Sequence, residues 1–81
     1  MGQFVGFHVA GDPGHPGKTT PISTGATHDE ALATAVQRML TLPGSGYVDV
    51  QEREDLAIDD FAKLTITLDA HFAKHLFGKS Q

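Results

Sequence analysis

The chain has 81 residues, a formal net charge of −4 and no cysteine. So short a chain holds one small core, burying roughly 60–65% of its unfolded surface. Without cysteine neither a disulfide nor a thiolate metal site supports it, so helix and sheet packing carry the fold. No apolar run approaches the roughly 20 residues that cross a bilayer, and the start, Met-Gly-Gln-Phe-Val-Gly, lacks the charged end and apolar stretch of a signal peptide. The expectation is a soluble, cytoplasmic, single-domain protein (residues 1–81) that needs no cofactor.

Residues 3–9 read as a strand, with Val5, Phe7 and Val9 alternating with Phe4, Gly6 and His8. Residues 11–17, Gly-Asp-Pro-Gly-His-Pro-Gly, have the composition of a loop. Residues 18–24 return as a second strand, an edge strand because Pro21 has no N–H for a ladder. The clearest element follows at about 28–42. Thr27 and Glu30 form a capping box, and Asp29 and Glu30 suit the positive end of the helix dipole. Ala31, Leu32, Ala35, Val36, Met39 and Leu40 recur at helical spacing as the buried stripe, leaving Thr34, Gln37, Arg38 and Thr41 for water. Pro43 and Gly44 end the helix.

Residues 47–51 read as a strand with Val48 and Val50 inward and Tyr47, Asp49 and Gln51 outward. An acidic connection, 53–62, holds a helical turn around 56–61. Residues 63–68 alternate Leu64, Ile66 and Leu68 with Thr65 and Thr67, which predicts another strand. Residues 69–77 read as a two-turn helix closed by Gly78, with Phe72, Leu76 and Phe77 folding back on the sheet or meeting a second copy. The predicted architecture is an α+β domain of order β-β-α-β-β-α. One antiparallel or mixed sheet is covered by the helix at 28–42, with a short C-terminal helix beside it.

Charge is unevenly spread. Asp49, Glu52, Glu54, Asp55, Asp59 and Asp60 crowd positions 49–60 against Arg53 alone, whereas Lys63, Lys74 and Lys79 later oppose only Asp69. This pattern does not suit wrapping a nucleic-acid backbone, which calls for a continuous basic surface. It suits approach to a basic surface on another protein, with Tyr47 as the aromatic anchor. A solvated acidic loop that aids solubility is the plainer alternative.

Motifs that suggest chemistry fail on inspection. Gly11 to Thr19 resembles a phosphate-binding P-loop, but the first glycine would have to stand where Asp12 is, and Pro13 and Pro16 remove backbone donors. His71 and His75 stand four apart, a spacing zinc sites use, and a third ligand would have to come from His8, His15, His28 or Asp69. Ser23, Ser45 and Ser80 lack the flanking pattern of an activated nucleophile.

The segment 23–35, Ser-Thr-Gly-Ala-Thr-His-Asp-Glu-Ala-Leu-Ala-Thr-Ala, resembles the strand-to-helix step of HicB-type antitoxins, in which a Gly, a capping Thr and a Glu-Ala pair open the main helix. The run 63–76 is similar to the strand and first helix of a ribbon-helix-helix reader, which some members of that family carry. The composition (small, acidic, cysteine-free) also resembles that of inhibitors from phage and mobile elements, anti-CRISPR proteins among them. Both likenesses imply a non-catalytic protein, monomeric or homodimeric, that inhibits a nucleic-acid-handling partner without itself binding nucleic acid or membrane. The partner-binding residues would be Tyr47, Asp49, Glu52, Glu54, Asp55, Asp59 and Asp60. The competing expectation is a small-ligand or metal-binding domain built on the histidines.

Overall fold

A computed structural model describes residues 3–42 and 44–78, with 75–78 as backbone only. Five elements follow in order: β1 (Phe4–Asp12), β2 (His15–Gly25), α1 (His28–Met39), β3 (Gly46–Glu52) and α2 (Ile58–Gly78). The strands form one antiparallel sheet in the order β2-β1-β3, and α1 packs on all three. The α+β class is as expected. The β-β-α-β-β-α order is corrected: among the described residues there are three strands, not four.

β1 and β2 are a hairpin turning at Pro13-Gly14, with Asp12 paired to His15. Segment 11–17, expected as a loop, is therefore mostly ladder. Its special residues serve the ladder: Gly11, at φ 91°, follows a shift of register after Val9, and Pro16 lies on an edge strand, as does Pro21 further along. A second shift between Gly6 and Phe7 leaves Ile22 as an extra residue in β2. The extra residue breaks the in–out alternation, so Ile22 and Ser23 both turn to α1. Ile22 joins Ala35 and Phe72 in the apolar cluster, and the buried Ser23 hydroxyl donates to the Ala31 carbonyl at 2.7 Å.

α1 begins as its capping box predicts. Thr27 is extended and its hydroxyl accepts from the Glu30 N–H at 3.2 Å; the Glu30 carboxylate accepts from Ala26 N–H, one residue before the cap. Gly6 lets the helix approach. A Cβ there would lie 2.3 Å from Ser23 Oγ and 2.8 Å from Ala35 Cβ.

The larger correction is α2. Residues 63–68 are helical, inside one helix that also takes in the turn expected at 56–61 and the helix expected at 69–77. Phe61, Leu64, Leu68 and Phe72 recur at helical spacing, and no Gly or Pro interrupts residues 57–77. The local Thr-Ile-Thr alternation yields to that longer pattern, and Thr65 Oγ1 returns a bond to the Phe61 carbonyl at 2.9 Å. Leu68 and Phe72 are buried; Leu76 and Phe77 have side chains outside the described residues.

Placing α2 correctly rotates the buried face of α1. Ala31 and Ala35 are fully buried, but Leu32 is 37% exposed, Val36 41% and Leu40 79%. Instead Thr34, Arg38 and Thr41, expected to meet water, are half-buried and line a cleft with Asp69, Phe72 and Ala73 of α2. Arg38 joins three elements: Nη1 donates to the Ile22 carbonyl at 2.9 Å, Nη2 pairs with Asp69, and the guanidinium lies 5.0 Å from the Phe72 ring centroid. Thr24 and Thr65 hydroxyls, 2.8 Å apart, tie β2 to the earlier part of α2.

Candidate partner-binding face

β3 is the second edge of the sheet, and its free side defines the site. Arg53 N–H donates to the Gln3 carbonyl at 2.7 Å and Gly11 N–H to the Ser45 carbonyl at 3.4 Å, which fixes the phase of the β1–β3 ladder. In an antiparallel pair bonded and non-bonded residues alternate. Tyr47, Asp49 and Gln51 therefore point their backbone groups at β1. Gly46, Val48, Val50 and Glu52 point theirs outward, where no other strand pairs with them among the described residues.

Side chains follow the opposite logic, one face and then the other. Val48 packs against the apolar cluster under α1, so Val50 and Glu52 share its face, as the sequence suggested for the valines. Tyr47, half-buried, Asp49 and Gln51 occupy the other face, where Gln51 donates to the Asp49 carboxylate at 2.8 Å.

The acidic residues form a string, not a plane. Asp49 and Glu52 sit on opposite faces of β3, Glu54 and Asp55 in the turn that follows, and Asp59 and Asp60 in the first turn of α2. All six are exposed. Asp55 is the one held in place: Arg53 donates two bonds of 2.8 Å to its two oxygens. Hydrogen bonding from Arg53, aided by the backbone, lowers the Asp55 carboxyl to about 2, and the same bond raises Arg53. Asp59 and Asp60 favour the start of α2 through its dipole, which gives them a structural use as well.

Sequence reading missed the apolar flank beside this string. Leu32, Val36 and Leu40 stand at i, i+4 and i+8 on the part of α1 turned away from Arg38 and α2, with exposure rising towards Leu40. Ala31 and Ala35 face Gly6, whose partner on β3 is Val50. The spacing of these residues was legible; their exposure depended on where α2 packs.

The histidines divide. His8 and His71 line one cleft of about 220 Å³ with Thr20, Pro21, Ile22, Leu42 and Phe72. The His75 side chain lies outside the described residues, and among those described no group of three or more His, Asp or Glu is arranged to hold a metal ion. His28 stands apart, edge-on to Phe4.

No protein-family model, curated protein or solved structure matches the chain. Among the described residues no helix is long and apolar enough to cross a membrane.

Proposed function

We propose that this is a non-catalytic acidic protein that binds and inhibits a macromolecular partner, blocking the basic surface of a nucleic-acid-handling protein. An antitoxin-like role and a phage or mobile-element inhibitor of the anti-CRISPR kind share this mechanism. The observation that carries the reading is the unbroken exposure of Asp49, Glu52, Glu54, Asp55, Asp59 and Asp60 along an open sheet edge, the turn and the helix start. Carboxylates in that setting steer a cationic surface into contact and set which partner is accepted. Tyr47 beside Asp49 supplies the aromatic contact such interfaces use as an anchor.

The test begins with capture of partners from the native host and identification of the bound protein. Its association rate with the wild type is then measured against salt. Screening acts within about 8–10 Å at ordinary ionic strength, so the rate falls as salt rises. Exchanging Glu54, Asp55, Asp59 and Asp60 for Gln or Asn leaves the fold intact and weakens binding by tenfold or more, on the order of 1.4 kcal/mol. Equal affinity of the neutralised protein at low and moderate salt removes the acidic face from the function.

A second reading draws on the His8–His71 cleft, which would take a small aromatic or anionic ligand, or a metal completed from elsewhere. Thermal shift with zinc, and metal analysis of the purified protein, decide it: a stoichiometric metal with a raised Tm replaces the first reading.

A further inference from the structure

We infer that the partner docks by adding a strand to the free edge of β3, and that the docking segment alternates apolar with basic residues. This rests on the proposal that the acidic face is the binding face, and it names what that face accepts. Three observations meet at the same edge. The outward backbone groups of Val48, Val50 and Glu52 form an unpaired ladder, which an extended peptide satisfies directly. On the helix that covers this sheet, Leu32 and Val36 stay partly open to water on the flank turned away from Arg38 and α2. On the opposite face Asp49 is exposed, with Glu52, Glu54 and Asp55 following along the chain.

The period of a strand turns this placement into a sequence rule for the partner. Every second side chain of an added strand would lie beside Val48 and Val50 on the face that α1 covers, where an apolar residue is favoured. The intervening side chains would lie beside Tyr47, Asp49 and Gln51, where a Lys or Arg gains an opposite charge across the ladder. Arg53 is already bonded to Asp55, and among the described residues Asp49 on this face has no ion-pair partner; Glu52 lies on the other face, at the end of the strand.

A second copy of the chain fits the edge poorly. Two β3 strands related by a two-fold axis bring together two carboxylates from each and no cation, and the register centred on Asp49 sets that residue against itself. Charged residues on an edge strand are a known guard against such self-pairing. The same charges admit a basic strand.

The test uses full-length ¹⁵N-labelled protein and three synthetic peptides, acetylated and amidated: Lys-Val-Lys-Val-Lys-Thr, its block isomer Lys-Lys-Lys-Val-Val-Thr, and Glu-Val-Glu-Val-Glu-Thr. The alternating basic peptide is expected to bind, and at saturation to slow amide exchange of Val48 and Val50 about tenfold or more, because opening then competes with binding. The block and acidic peptides bind at least about tenfold more weakly, a difference of 1.4 kcal/mol. Val50→Pro removes an outward donor while leaving the β1 ladder its bonds, and Val36→Asp spoils the apolar flank of α1; both weaken the alternating peptide. Should Val50→Pro lose its native circular dichroism, Val36→Asp alone decides, since Val36 is already open to water.

Binding of the alternating peptide with Val48 and Val50 exchange unchanged overturns strand addition but leaves the acidic-face proposal standing. Equal binding of the block isomer, or no binding of any peptide at millimolar concentration and low salt, also overturns it. So does protection of Val48 and Val50 that grows with protein concentration in the absence of peptide, which would make the occupant a second copy. The acidic-face proposal fails separately, when the neutralised variant keeps its affinity for the captured protein.

Discussion

Replacing Arg38 with Ala tests the placement of α2 at its most connected residue. The Arg38 side chain is 16% exposed, and its guanidinium bonds the Ile22 carbonyl in the β2 bulge, pairs with Asp69 and covers the Phe72 ring. Leaving the partly buried carbonyl without its donor costs about 1–3 kcal/mol. Loss of the cation–ring contact adds about 0.5–2 kcal/mol. The Asp69 side is 58% exposed, so that pair contributes only about 0–1 kcal/mol. These contributions share one side chain and do not add fully, so about 2–4 kcal/mol is expected for Arg38→Ala against a typical domain stability of about 5–15 kcal/mol. Urea unfolding followed by circular dichroism measures it directly, and Tm should fall by about 4–8 °C per kcal/mol for a domain of this size. Asp69→Asn should cost less than about 1 kcal/mol, because the Ile22 and Phe72 contacts survive. An Arg38→Ala protein within about 0.5 kcal/mol of wild type, the level of an ordinary surface change, would refute the docking of α2 against α1 and β2.

Ala35→Asp should unfold the domain, since an unpaired carboxylate at a fully buried site costs several kcal/mol, whereas Val36→Asp one residue on should shift stability by less than about 1 kcal/mol. Chemical denaturation of both variants separates the two faces of α1, and an unfolded Val36→Asp would place the wrong face inward. Gly6→Ala should destabilise by about 1–3 kcal/mol, because its Cβ would press on Ser23 and Ala35 and push α1 from the sheet; an unchanged Tm would contradict that close approach. The Asp55 carboxyl is lowered to about 2 by Arg53, so the pair's contribution is fully present above the unfolded value of about 3.9 and is lost as pH falls towards 2. Arg53→Gln should remove that part of the acid dependence in melts between pH 4 and 2, and identical profiles for the two proteins would mean the pair adds no stability.

Legibility in the sequence varied with how local the determining interaction is. The Thr27 cap, the hairpin of β1 with β2 and the inward valines of β3 depend on neighbours in the chain, and all are found. Residues 64–68, Leu-Thr-Ile-Thr-Leu, satisfy a strand period over five residues, and only the wider window from Phe61 to Phe72 shows the helical face. That one misassignment carried a second. Without a helix at 58–78 the pattern of α1 gives Arg38 to the solvent and Leu32 and Val36 to the core, and the structure exchanges them. Of the candidate site, the acidic residues could be named from composition. The free edge could not, because strand order is set by contacts across the chain: β1 takes the centre and leaves β3 outside.

The missing fourth strand and the exposed flank of α1 are one fact about the molecule. A helix laid over three strands, with α2 closing the β2 side, has apolar side chains left partly open on its other flank among the described residues. A chain selected only for solubility would place polar residues at 32, 36 and 40, where helix propensity is as good with Glu, Lys or Gln as with Leu and better than with Val. Instead those positions are apolar, while charge is placed on β3 at Asp49 and Glu52. Acidic charge on the strand opposes pairing with a second identical chain, and the apolar flank above it rewards a strand that does enter. The combination selects by rejection of like charge as much as by attraction of unlike, which is how a small edge of modest area distinguishes one partner from its own copies.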